Sequence, residues 1–164
     1  MIRAVVADTG PLIALARVGR LELLRRLYHD ALVPPIVHAE LALDSARPGA
    51  KVLAKAFDAG WITSQRVADA TAVSELTQLL GPGESEAIIL AEQENARFLL
   101  IDDARGRRVA RTRGVSVVGV AGVLLVAKSR GAIAAVGPIL EDLSRLGYRL
   151  SPGLVAAVLK RAGE

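Results

Sequence analysis

The sequence predicts an α/β domain in which a mainly parallel sheet lies between two layers of helices, with extra helices toward the C-terminal end. Three observations carry this. Short apolar runs alternate with longer stretches of helical periodicity, in the order strand, helices, strand, helix, strand, helix. Of the 164 residues, 52% are hydrophobic and 23% charged, which suits one folded core spanning residues 1–164 rather than a disordered chain. Aromatics are only 3% and cysteine is absent, so the core is Ala, Val, Leu and Ile, the residues of helices packed on a buried sheet.

The elements follow in order. Residues 2–7 form a short apolar, β-branched run that reads as a buried strand. Gly10 and Pro11 end it, and Pro11 opens a helix because its missing N–H is not needed in the first turn. A second helix covers about 20–28, with Leu21, Leu24, Leu27 and Tyr28 on one face. Ala31–Val33 is a strand, Pro34-Pro35 opens a helix through Leu41, and residues 44–50 are a loop. A helix over 50–58 precedes an edge strand at Trp61–Thr63. Residues 69–80 are helical. Glu84–Asn95 is a strong helix with Glu84 and Glu86 in its first turn, where the helix dipole favours acids. Phe98–Ile101 is a buried strand, Arg105–Arg113 a basic helix and Val115–Val118 a strand. Three helices follow, near 120–129, 132–147 and 151–162.

Composition excludes several chemistries. Without cysteine there is no disulfide framework, thiolate zinc site or cysteine nucleophile. His29 and His38 are too few for a histidine-rich metal site and read as structural or surface residues. The sparse aromatics do not supply a base-stacking module. Basic residues outnumber acidic ones by 21 to 17, a net charge of +4 that permits a nucleic-acid partner without demanding one. The N-terminal apolar run ends in Asp8, and Val115–Lys128 is shorter than a membrane span and broken by Gly119 and Gly122. A cytoplasmic protein without a membrane partner is expected. No phosphate-cradling glycine motif points to a nucleotide cofactor.

The acids are the informative residues. In an open parallel sheet the working crevice lies beyond the carboxyl ends of the strands. Asp8 ends one strand, and Asp102 and Asp103 end another. Glu40 sits on the helix after the second strand and Glu86 near the start of the helix that feeds the Phe98–Ile101 strand. If the two acid-bearing strands are neighbours, these carboxylates converge. A crowd of carboxylates persists when a divalent cation neutralises it, and oxygen donors alone select Mg²⁺ or Mn²⁺. Such a site supports phosphodiester hydrolysis. The bland alternative is that the acids cap helices: Asp8 at the Pro11 helix, and Glu84 as a dipole partner. On the basic helix, Arg105 and Arg108 share a face and are candidates for RNA phosphates, against the alternative of a solvated basic face.

The segments Val6–Leu15, Val33–Leu41, Gly83–Ala91, Leu100–Arg105 and Gly119–Lys128, in this order, resemble the PIN-domain family over about residues 1–160. The closer likeness is to its prokaryotic branch with extra C-terminal helices. The resemblance implies a parallel sheet with helices on both faces, and a metal-dependent endoribonuclease of the kind found as VapC-type toxins of toxin–antitoxin pairs. It implies Mg²⁺ or Mn²⁺ as cofactor, RNA as substrate, a small antitoxin protein as partner and a homodimer. Residue by residue, Asp8 matches the first metal ligand, Glu40 the acid after the second strand and Glu86 the acid of the helix before the late strand. Asp103 or Asp102 matches the acid after that strand, and Thr9 the hydroxyl residue that follows the first acid. Asp8, Glu40, Glu86 and Asp103 are thus the expected catalytic set, and Asp8, Glu86, Asp102 and Asp103 the expected metal ligands. Two departures stand out: Ile101 occupies a position where the family often has Thr, and Glu86 is longer than the commoner Asp.

Three rivals compete with this reading. Asp8-Thr9-Gly10 is also the triplet of retropepsin-like aspartic proteases, but those are all-β and this triplet leads into a helix. Asp102-Asp103 resembles the acidic pair of response-regulator receivers, but follows the wrong strand. A PIN-like protein without strong catalysis, acting as a protein- or nucleic-acid-binding module, is the third.

Overall fold

The structure, a computed structural model, describes residues 3–164. Five short strands form one parallel sheet: β1 (Val5–Ala7), β2 (Ala31–Val33), β3 (Ile62–Ser64), β4 (Leu99–Leu100) and β5 (Val117–Val118), in the order β3-β2-β1-β4-β5. Ile2, expected in the first strand, lies outside the described residues. Neighbouring positions point to opposite faces, and both faces are covered. Val5, Ala7 and Leu100 enter one core, while Val6, Leu99 and Ile101 enter the other. This two-sided burial explains why the strands read as unbroken apolar runs.

Around the first core pack α1 (Thr9–Arg17), α2 (Glu22–Tyr28), α4 (Ala50–Asp58), α8 (Val120–Ser129), α9 (Gly137–Arg145) and α10 (Pro152–Ala162). The second core is closed by α5 (Ala70–Leu76), α6 (Pro82–Gln93) and α7 (Ala104–Thr112). The short α3 (Pro35–Glu40) sends Val37 into the first core and touches α6. The expected three layers and the extra C-terminal helices are therefore present. Trp61 is 6% exposed and anchors the edge strand β3 to the first core.

From β1 the chain steps outward through β2 to β3, then returns to the other flank of β1 to lay down β4 and β5. The crossover direction thus reverses between β1 and β4, which leaves a crevice at their carboxyl ends. Val6 pairs with Leu99 and Ala7 with Leu100, so the acids following these strands meet there.

Several element boundaries differ from expectation. α1 starts at Thr9 rather than Pro11, β3 shifts by one residue to Ile62–Ser64, and the strands expected at 98–101 and 115–118 pair only over Leu99–Leu100 and Val117–Val118. α6 starts at Pro82 rather than Glu84, because proline suits the first helical position. Glu84 keeps its place in the first turn, and Glu86 moves beyond it. α5 stops at Leu76, short of the expected 80. α9 begins at Gly137 rather than near 132. The Glu164 carboxylate takes the Val136 and Gly137 amides at 2.8 and 2.9 Å, a cap that the local sequence does not reveal. Among the described residues no helix is long and apolar enough to cross a membrane.

Candidate active site

Asp8 sits at the entrance to α1, yet its side chain makes no capping bond there. The cap reading of Asp8 therefore does not hold. Its backbone N–H donates to the Leu100 carbonyl at 2.9 Å, tying the end of β1 to the end of β4. The residue is only 8% exposed. Burial pushes its carboxyl up to about 6; the Thr9 amide opposes this, and the charges of Glu40, Asp103 and Asp102 add to it.

A cavity of about 470 Å³ opens on Asp8 and is bounded by Glu40, Glu84, Asp102, Asp103 and Tyr148. Five carboxylates therefore share one mouth. Glu40 reaches it from the C-terminal end of α3, where its Oε2 accepts from Thr9 Oγ1 at 2.7 Å. The carboxylate lies against the α-carbon of Gly83: a Cβ built there would stand 2.6 Å from Glu40 Oε1. Glycine at 83 is thus a matter of room for Glu40.

Glu84 enters from the first turn of α6. Burial raises its carboxyl to about 7, and the charge of and hydrogen bond with Asp103, followed by Asp8 and Glu40, push the same way. Asp103 is the N-cap of α7, with Oδ2 accepting from the Gly106 amide at 2.7 Å. It caps the helix and faces the mouth at once.

Asp102 is held by other means. Its Oδ2 accepts from the Val120 amide at 3.1 Å and from the Tyr148 hydroxyl. Burial and the Asp102 charge raise the Tyr148 phenol well above its usual range. A side chain at Gly119 would collide with Asp102 Oδ1 and crowd Arg107, whose Nη1 donates to the Ile101 carbonyl at 2.8 Å. Tyr148 was not among the expected site residues, because a lone tyrosine in the α9–α10 loop has no local pattern that ties it to a strand 46 residues earlier.

Glu86 is the expected ligand that the structure sets apart. It does not line this cavity. Its Oε1 accepts from the Ile36 amide at 3.0 Å, fastening the start of α3 to α6. The acid that α6 turns into the mouth is Glu84, two residues earlier than the motif suggested. Glu86 serves the site indirectly, since α3 carries Glu40. His38 stacks on Phe57 with ring centroids 4.6 Å apart, the structural role expected of it.

The two candidate RNA contacts part company. Arg105 lines a hollow with Gln78, Glu84 and Asp103, whereas Arg108 lines a separate cleft that begins at Asp102.

Among the described residues no three acidic or histidine side chains stand close enough to grip one ion together. Physical reasons are visible: like charges spread when unneutralised, and Glu40, Asp102 and Asp103 each rest on a protein donor. The chemistry of the donor set nevertheless fits a hard divalent cation. It offers only oxygen atoms, and burial, with the neighbouring carboxylates adding to it, already holds Asp8 and Glu84 above the usual carboxylate range.

Comparison with known proteins agrees with the fold. A search of curated proteins finds no match. A family model described as a PIN domain matches residues 4–164. That is nearly the whole chain, and the PIN domain is a nuclease-type fold whose parallel sheet and flanking helices are those seen here. The chain belongs to the PIN-domain family.

Proposed function

We infer that this protein is a metal-dependent endoribonuclease that hydrolyses RNA phosphodiester bonds. The observation that supports it best is the gathering of Asp8, Glu40, Glu84, Asp102 and Asp103 around one cavity at the β1–β4 switch point. A purely structural mouth would not crowd five acids around a buried Asp8, because the crowding costs stability.

In this reading Asp8, Glu84 and Asp103 hold Mg²⁺ or Mn²⁺, with Asp102 and Glu40 beside them. When bound, the ion supplies charge stabilisation at the scissile phosphate and a more acidic attacking water. The chain's own groups do the rest. Thr9 orients Glu40, Tyr148 and the Val120 amide orient Asp102, and the Gly106 amide orients Asp103. Glu40, exposed and held by Thr9, is placed to take a proton from water at the mouth. The toxin role, a small antitoxin protein as partner, a homodimer and a cytoplasmic location belong to this reading through the family resemblance. Co-expression with the adjoining reading frame, followed by co-purification, tests the antitoxin.

The first experiment is cleavage of a labelled tRNA pool in Mn²⁺ and in Mg²⁺, beside EDTA and an Asp8→Asn variant. Cleavage that disappears in both controls is expected. Well-folded protein that cleaves with neither metal would favour the second reading, a binding module that keeps the fold.

A further inference from the structure

We propose that the cleft between α7 and the C-terminal helices α8 and α10 is the track for single-stranded RNA, holding its phosphates on Arg107, Arg108 and Arg111 from one wall and on Arg149 and Arg161 from the other. The cleft measures about 860 Å³. These five guanidinium groups line it with Asp102 as its acid, and that acid is already engaged by Tyr148 and the Val120 amide. Among the described residues none of the five arginines forms a salt bridge, whereas Arg25, Arg113 and Arg145 elsewhere do. Unneutralised guanidinium groups facing one another across a cleft repel, and a polyanion relieves that repulsion.

Two features select the kind of polyanion. The floor carries aliphatic surface from Leu125, Leu154 and Val158, and Leu154 is 41% exposed. A sugar and base face would cover such a floor, and guanidinium planes stack on bases as well as binding phosphate. A duplex hides its base faces in the stack and would not use it. The second feature is continuity. Asp102 and Arg149 line both this cleft and the acidic cavity, so a strand in the cleft runs into the carboxylates. This continuity is why RNA is preferred over an acidic protein segment, and in this respect the proposal rests on the nuclease reading. It also revises the sequence-based pair: Arg108 stays and Arg105 drops out.

Binding and cleavage are separable. Fluorescence anisotropy of a labelled uridine dodecamer and of an RNA hairpin, both in EDTA across a salt series, reads the cleft alone. The parent should prefer the single strand. Arg111→Gln combined with Arg161→Gln should weaken it and flatten the slope of log affinity against log salt by about 0.7 per lost phosphate contact. Both residues are exposed, so the fold should stand, with circular dichroism as the check. Arg26→Glu, exposed on α2, should change neither quantity. Unchanged affinity and slope in the double variant would overturn the proposal, and so would equal or tighter binding of the hairpin. An acidic peptide that competes with equal affinity and the same arginine dependence would reassign the cleft to a protein partner. If the double variant binds weakly but no metal supports cleavage by the parent, the track stands and the nuclease reading falls. If cleavage proceeds with unchanged KM in the double variant, the nuclease reading stands and the track falls.

Discussion

The Asp8 amide donates to the Leu100 carbonyl at 2.9 Å, and this one ladder bond sets how the acids of two distant chain segments face each other. Asp8 leaves β1 as Asp102 and Asp103 leave β4, and the parallel register puts both exits on the same end of the sheet. The crowding that follows governs the behaviour expected of the molecule.

The pH dependence follows from Asp8 and Glu84. Both have folded values, about 6 and about 7, above their ordinary 3.8 and 4.5. An acid raised in this way contributes stability that is fully present below its unfolded value and is lost as pH rises through its folded value. In EDTA the protein should therefore melt at a higher temperature near pH 5 than near pH 8. Between these two pH values the share of the buried Asp8 is about 1–2 kcal/mol, because the rest of its shift from 3.8 to about 6 is already lost by pH 5, and each kcal/mol moves Tm by about 2–4 °C in a domain of this size. A flat Tm between these pH values would show that the mouth is not strained by its charges.

Asp8→Asn removes the buried charge and keeps the shape. At pH 8 in EDTA the variant should melt above the parent, and the difference should shrink toward pH 5. It should also lose cleavage. A variant less stable than the parent at pH 8 would contradict the burial argument.

Glu84 and Glu86 can be told apart. Gln at 86 still offers an oxygen to the Ile36 amide, so Glu86→Gln should keep most of the metal-induced rise in Tm and most of the cleavage. Glu84→Gln should lose both. Glu86→Ala frees the start of α3, and a supporting contact of this kind typically costs about 10- to 100-fold in activity or metal affinity. Metal titrations followed by differential scanning fluorimetry decide it; the reverse ranking would restore Glu86 as the ligand.

Gly83→Ala should separate stability from activity. The new methyl group meets the far end of a flexible glutamate, which can swing away, so the change in stability should stay within about 1 kcal/mol. Glu40 would then leave Thr9, and cleavage should fall. Denaturant melts alongside initial rates test this; a loss of fold without a specific loss of rate would refute it.

Tyr148→Phe removes the hydroxyl that holds Asp102. Hydrogen bonds to charged groups contribute about 1.5–3 kcal/mol, and a loss of that order is expected in unfolding measurements. A variant with unchanged stability and unchanged metal affinity would show that the hydroxyl does not fix Asp102.

Much of this was legible in the sequence. Apolar runs at 5–7, 31–33 and 99–100 are strands because a sheet covered on both faces needs no polar alternation, and that pattern is local. Asp8, Asp102 and Asp103 were legible for the same reason: they end such runs, and acids at strand ends in a parallel sheet face the crevice. Helix starts marked by proline, at Pro35 and Pro82, follow from one residue's fixed φ, whereas α1 begins at Thr9, two residues before Pro11.

What escaped the sequence depends on where a helical residue points once the helix is docked. Glu84 and Glu86 differ by two positions, about 200° around α6, so one faces the mouth and the other faces α3. The motif alone gives no sign of which. The same holds for Arg105 and Arg108, which α7 delivers to different hollows, and for Tyr148 and Glu164, whose partners lie 46 and 28 residues away in the chain. Periodicity and chain-breaking residues are properties of neighbours in sequence, and they determined the elements and the acids at the sheet's end. Only the packing of helices onto the sheet decided which acid enters the cavity, which arginines line its approach and which distant side chains hold them in place.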